Sequence, residues 1–203
     1  MSWKFFAFAA ALITLSSQAV EVPGGLLRTG EAIQPNQYEF VMSPIYVMSP
    51  TGAYLSSEVR YQANEDFSAG VSFGAGEVGF NLGANGTWFI LPDLEGQPAL
   101  GILGGIYFNR IKPANWFVVK VAPVVSKTVK LDWGTMTPYA GLHMTPSFRL
   151  GEPFNELSMK TSLGTSFAVK SMNGLRFWGE FDLGVANSVH ELMVGVSYPF
   201  TGI

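Results

Sequence analysis

The sequence predicts an all-β protein: a closed, antiparallel, up-and-down transmembrane barrel of about ten strands, with eight as the alternative count. Three observations carry the prediction. From Gln37 to Phe200, ten segments alternate with period two and are separated by short turn signals. One face of every segment is apolar and free of Asp, Glu, Lys and Arg, while the opposite faces hold Glu39, Glu58, Arg60, Lys120, Lys160, Arg176, Glu180, Asp182 and Glu191. Charged residues make up only 13% of the 203 residues, about half the ~25% of soluble domains. A Lys or Arg facing lipid costs about 2–4 kcal/mol at the midplane of a barrel, and an unpaired sheet edge in lipid is also costly, so such a sheet has to close.

The chain begins with the pattern of an export signal. Lys4 supplies a positive start, Phe5 to Leu15 an apolar run, and Ser17-Gln18-Ala19 a small-x-small cleavage site. The run is too short for the ~20 residues of a membrane helix. Cleavage after Ala19 removes Lys4, the only charge in that stretch, and takes the net charge from −3 to −4. Residues 20–36 contain Pro23-Gly24-Gly25, Gly30 and Pro35 without a sustained period, and read as a periplasmic lead-in to a barrel over residues 37–203.

The first strand, Gln37 to Val47, sets Tyr38, Phe40, Met42 and Tyr46 against Glu39 and Ser43. The second, Ala53 to Ala63, sets Leu55, Val59 and Tyr61 against Tyr54, Ser56, Glu58, Arg60 and Gln62. In the third, Phe67 to Gly74, Phe67, Ala69, Val71 and Phe73 oppose Ser68, Gly70 and Ser72. The apolar parity then flips from odd to even, which a continuous strand cannot do without a bulge, so a hairpin is expected at Gly74-Ala75-Gly76-Glu77. The fourth strand, Val78 to Ile90, presents Val78, Phe80, Leu82, Trp88 and Ile90 opposite Asn81, Asn85 and Thr87. The fifth, Ala99 to Asn109, presents Leu100, Ile102, Ile106 and Phe108.

The sixth, Trp116 to Lys127, sets Phe117, Val119, Val121 and Val125 against Lys120 and Ser126. The seventh, Thr137 to Phe148, opposes Ala140, Leu142, Met144 and Phe148 to Tyr139, His143, Thr145 and Ser147. The eighth, Leu157 to Lys170, opposes Met159, Leu163, Phe167 and Val169 to Ser158, Lys160, Ser162 and Ser166. Asn173-Gly174 marks a hairpin into the ninth, Leu175 to Val185, where Leu175, Phe177, Phe181 and Leu183 oppose Arg176, Glu180 and Asp182. Pro44, Pro123, Pro138, Pro146 and Pro199 fall in or beside strands, where each removes a ladder donor, so bulges are expected there. Trp88, Trp116, Phe117, Phe148, Tyr198 and Phe200 gather near strand ends, as interfacial girdles would.

The tenth strand, Glu191 to Phe200, alternates Leu192, Val194, Val196, Tyr198 and Phe200 with Glu191, Met193, Gly195, Ser197 and Pro199. It resembles the C-terminal β-signal of bacterial outer-membrane β-barrel proteins, apolar at every second position up to a near-terminal Phe. Here Thr201, Gly202 and Ile203 follow that Phe. The resemblance implies export, outer-membrane location, contact with outer-membrane lipid, and help from periplasmic chaperones and the barrel-assembly machinery. Leu192, Val194, Val196, Tyr198 and Phe200 would be the assembly signal.

The remaining residues exclude more than they assign. No cysteine is present, so disulfides and zinc–thiolate sites are ruled out. No basic cluster suits nucleic acid, and neither a phosphate loop, a metal-ligand spacing nor a serine elbow occurs. No cofactor, metal or catalytic residue is expected. The candidate site is instead a polar network in the lumen: Glu39, Glu58, Arg60, Lys120, His143, Lys160, Arg176, Glu180, Asp182 and Glu191, acid and base nearly balanced. That balance suits a structural barrel or a narrow passive, porin-like channel, since about 16–18 strands are needed for a wide pore. Two alternatives are an outer-membrane hydrolase using His143 with Ser147 and a carboxylate, and a soluble exported barrel that binds a small ligand in an apolar interior. Arginine at Leu163 or Val194 is expected to cripple assembly, and at Ser162 or Gly195 to be milder.

Overall fold

The computed structural model describes residues 28–30, 32–48, 51–111, 113–151 and 155–201. The export signal and cleavage site expected before residue 20 lie outside these residues. The strands are β1 (Gln37–Met48), β2 (Thr51–Gln62), β3 (Phe67–Gly76), β4 (Gly79–Leu91), β5 (Ala99–Ile111), β6 (Ala114–Ser126), β7 (Val129–Leu131), β8 (Gly134–Arg149), β9 (Asn155–Val169), β10 (Arg176–Ala186) and β11 (Glu191–Thr201). Apart from β6 and β7, neighbours in sequence pair antiparallel, β11 returns to β1, and β6 pairs directly with β8. The three-residue β7 only extends a hairpin on β8. Without it, ten strands close into a ring.

Strand parity follows the sequence pattern. Leu55, Val59, Val71, Phe73, Leu82, Ile106, Leu163, Leu192 and Val194 all face outward and are exposed, Val71 by 60%. A soluble barrel would turn these side chains inward. An apolar belt of this extent around a closed sheet belongs in hydrocarbon, and the barrel is transmembrane. The third strand runs to Gly76, so its ten residues meet the ~9–11 needed for a span and the eight-strand alternative falls. Its hairpin turn is Glu77–Val78, closed by the Gly76–Gly79 pair, two residues later than the parity flip suggested. Val78 therefore leaves the outer face and packs against the inner apolar cluster.

Two further expectations are corrected. Trp116 faces inward at 4% exposure, with the Arg149 guanidinium carbon 6.0 Å from its ring centroid, and belongs to no outer girdle. The prolines produce no bulges. Met42↔Val196 and Ile45↔Met193 keep one register across Pro44, and Val121↔Met144 and Val124↔Gly141 keep one across Pro123. A missing donor there costs ladder bonds without adding a residue. The register shifts lie instead between Phe89 and Leu91 and between Gly184 and Ala186. Arg110, just past the predicted fifth strand, takes outward parity and is exposed at the rim of β5, where the cost of charge is lowest.

The interior is also less polar than expected. Beside Glu39 and Ser43, the inner face of β1 carries Val41, Ile45 and Val47, which join Tyr54, Leu103, Ala122, Val124, Tyr139, Trp178, Val189 and Met193 in a buried cluster. Inner tyrosines lie across glycines of neighbouring strands: Tyr54 over Gly74, Tyr107 over Gly83 and Tyr139 over Gly164. A Cβ at Gly164 would stand 2.3 Å from Cζ of Tyr139, so only glycine leaves room for the ring. These pairs bring aromatic bulk to bare stretches of sheet and help fill a lumen whose diameter ten strands would otherwise leave partly open. The connections on the side of the termini, 63–66, 92–98, 127–133 and 170–175, exceed most of those on the far side, 49–50, 77–78, 112–113, 150–154 and 187–190.

Candidate functional site in the lumen

Period two sends every second side chain inward, so charges distant in sequence share one enclosed space. Glu39, Glu58, Arg60, Lys120, His143, Lys160, Arg176, Glu180, Asp182 and Glu191 all take inward positions. They form two groups.

The first crosses from β10 to β4. Trp178 Nε1 donates to Ser197 Oγ at 2.9 Å, and that hydroxyl donates to Glu39 Oε1 at 2.8 Å. Arg60 Nη1 reaches Glu39 Oε2 at 3.2 Å, while its Nε and Nη2 clasp the two oxygens of Glu58 at 2.9 and 3.2 Å. Arg28 completes the group. Its Nη2 donates to Glu58 Oε1 at 2.5 Å and to Asn85 Oδ1 at 3.0 Å, and its Nη1 donates to Thr87 Oγ1 and Ser68 Oγ. Two guanidinium groups face two carboxylates, and charge cancels.

The second group spans β6 to β11. Lys160 Nζ lies 3.0 Å from Asp182 Oδ2 and 3.1 Å from Glu191 Oε2, with no solvent exposure at any of the three side chains. Tyr139 donates to Glu180 Oε2 at 2.6 Å. His143 Nε2 lies 2.6 Å from Ser162 Oγ, and Ser162 donates to Asp182 Oδ1. The hydroxyl spends its one proton on the carboxylate, so the geometry calls for an Nε2–H tautomer donating to Ser162. His143 Nδ1 and Ser147 Oγ are buried without a hydrogen-bond partner. Lys120 is buried beside this group on β6. Placing ions out of water demands such pairing, since an unpaired buried charge costs several kcal/mol.

His143, Glu180 and Asp182 bring one potential ligand atom each within 4.8 Å of one another. Lys160 already supplies positive charge to Asp182, and Ser162 bridges the imidazole to the same carboxylate, so the acid is neutralised from within, while His143 Nδ1 keeps no partner among the described residues. Arg176 stands at the mouth on the side of the termini and lines a pocket of about 20 Å³ with Glu39, Arg60, Gln62 and Trp178, a volume on the order of one water.

The sequence pattern did not place Arg28 here. It lies in a stretch without period, and no alternation marks it as inward. Its only local signal is charge: an arginine in a segment otherwise rich in glycine and proline, with an extra carboxylate, Glu58, waiting on β2.

No family model and no curated protein matches the sequence. Among solved structures, the fold is similar to the β domain of the Bordetella autotransporter BrkA, with a TM-score of 0.52 at 9% identity over 83% of this chain and 100% of that one. A bacterial polysaccharide outer membrane secretin aligns with a TM-score of 0.48 at 12% identity over 82% of this chain and 66% of that one. An outer membrane channel from Pseudomonas putida F1 aligns at 0.47, with 8% identity over 89% of this chain and 100% of that one. The chain thus spans just under two thirds of the secretin's length. At these identities the likeness is one of fold.

Proposed function

We propose that the chain is an integral outer-membrane β-barrel with a filled, charge-paired lumen, acting as a structural barrel with at most a narrow passive leak. The observation that carries this is the complete burial of Lys160, Asp182 and Glu191 inside a ring whose outside is apolar. Ions with no solvent contact leave no water-filled path along that side of the lumen. The apolar belt supports contact with membrane lipid, and the alternation of Leu192, Val194, Val196, Tyr198 and Phe200 on the outer face of β11 supports delivery by the barrel-assembly machinery after passage with periplasmic chaperones.

Catalysis finds no support in the geometry. In a serine hydrolase the imidazole takes the proton of the nucleophile and a carboxylate orients the imidazole. Here the order runs His143–Ser162–Asp182, with the hydroxyl in the middle and turned to the acid. Ser147, the nucleophile suggested by the sequence, makes no bond to His143.

The test is to express the full chain, fractionate membranes and compare heated with unheated gel migration, then reconstitute the folded form in planar bilayers. Mature protein should partition with the outer membrane, migrate faster unheated, and give conductance near the bare-bilayer level. Release into the soluble fraction would return the soluble ligand-binding barrel. Large, steady conductance would make the protein a porin.

A further inference from the structure

The receptor around Arg28 is built by the barrel, and its occupant is not. Glu58 on β2, Ser68 on β3, and Asn85 and Thr87 on β4 point four acceptors at one planar guanidinium. Among the groups paired directly with one another, Glu39, Glu58 and Arg60 sum to one negative charge, which Arg28 brings to zero, while Arg176 lines the neighbouring pocket. Residues 28–30 and 32–34 belong to no strand. Their segment meets the wall closely at Gly30, whose N–H donates to Ser126 Oγ at 3.0 Å and where a Cβ would come within 3.1–3.2 Å of the Ala99 and Gly101 backbone. Arg28 Nε is buried and has no acceptor among the described residues, and the pocket of about 20 Å³ lies against Arg28 near the mouth.

We propose that the lumen contains a binding site for guanidinium-bearing cations, filled in cis by Arg28. Fork-shaped donors and converging acceptors make it selective for that planar group over a compact point charge. The wild-type barrel carries its own ligand. With that ligand removed, the site takes a small guanidinium compound entering beside Arg176 and Gln62.

The experiment is chemical rescue in the full chain. Arg28→Ala should lower the temperature at which the compact gel form is lost by several degrees. Guanidinium chloride at tens of millimolar, far below denaturing levels, should restore most of that loss, as a ligand that binds only the folded state must. Sodium chloride and methylammonium chloride at equal ionic strength should not, and the wild type should not respond to guanidinium. The double variant Arg28→Ala/Glu58→Gln, with cation and anion both removed, should lose the guanidinium response. If Arg28→Ala fails to refold, refolding yield becomes the readout, with guanidinium raising it and sodium leaving it unchanged. Equal rescue by sodium, an unaltered transition in Arg28→Ala, or no rescue by guanidinium would each overturn the proposal.

Discussion

Lys160 Nζ on β9 stands 3.0 Å from Asp182 Oδ2 on β10, and neither side chain touches solvent. Glu191 on β11 reaches the same ammonium at 3.1 Å, so one lysine ties three consecutive strands. Lys160→Met leaves two buried carboxylates facing each other. Breaking a buried pair from one side costs about 3–5 kcal/mol, and the folded gel form of Lys160→Met should melt well below the wild type. Replacing all three by apolar residues of similar volume should cost less than the single change. A single variant as stable as the wild type would mean that the lysine is not the tie described.

Leu163 and Val194 point outward and are 52% and 56% exposed. Arginine at either should reduce the membrane-inserted fraction sharply, with a cost of about 2–4 kcal/mol near the midplane. The structure changes the expectation for Ser162→Arg. Ser162 is fully enclosed between His143 and Asp182, so an arginine there has no room and should fail as badly as the outward pair. Pulse-labelled membrane insertion of the three variants checks the ranking.

Gly164→Ala should drive the Tyr139 ring off the sheet and break its 2.6 Å bond to Glu180. Overpacking of this kind typically costs about 1–3 kcal/mol. Gly164→Ala/Tyr139→Phe should recover little, because the clash is with the ring, whereas Gly164→Ala/Tyr139→Leu should recover more. Unfolding in urea distinguishes the two doubles.

The loop between β4 and β5 offers a pH-dependent contact outside the membrane. Burial pushes the Asp93 carboxyl up. Hydrogen bonds from Lys127 Nζ at 2.6 Å and the Thr128 amide at 2.5 Å outweigh this and hold it below the usual carboxylate value. A depressed folded value means that the contact stabilises the loop above the ordinary carboxylate pKa, and that this contribution disappears as pH falls through the folded value. Lys127 is 39% exposed, so solvent screening keeps the effect small. Exchange protection of the Thr128 amide should fall on acidification in the wild type and be low at every pH in Asp93→Asn.

Much of the wall was legible because lipid enforces a rule that sequence cannot hide. A charge on the outer face is so costly that the parity of Glu58, Arg60, Lys160 and Asp182 alone orients β2, β9 and β10. The lumen was harder to read. Nothing forbids an apolar residue from facing inward, so Val41, Ile45 and Val47 sit opposite an equally apolar outer row and β1 carries little alternation of polarity. Pairings within the interior depend on where the ring closes, which no local period records. Tyr139 and Glu180 are 41 residues apart and meet because β9 separates their strands. Arg28 was invisible for a related reason: its partners lie at least 30 residues away and its own segment has no repeat.

The seam between β1 and β11 joins residues as distant as Gln37 and Thr201. Ser197 meets Glu39 across 158 positions, and Ser43 meets the Val194 carbonyl across 151. Nine hairpin-like joints can zip locally as the chain emerges, but this last one has to wait for the far end of the polypeptide to arrive. Until it does, the unfinished sheet carries two raw margins of N–H and C=O groups that hydrocarbon will not tolerate. Lodging in the bilayer and sealing of the cylinder are therefore bound to finish together.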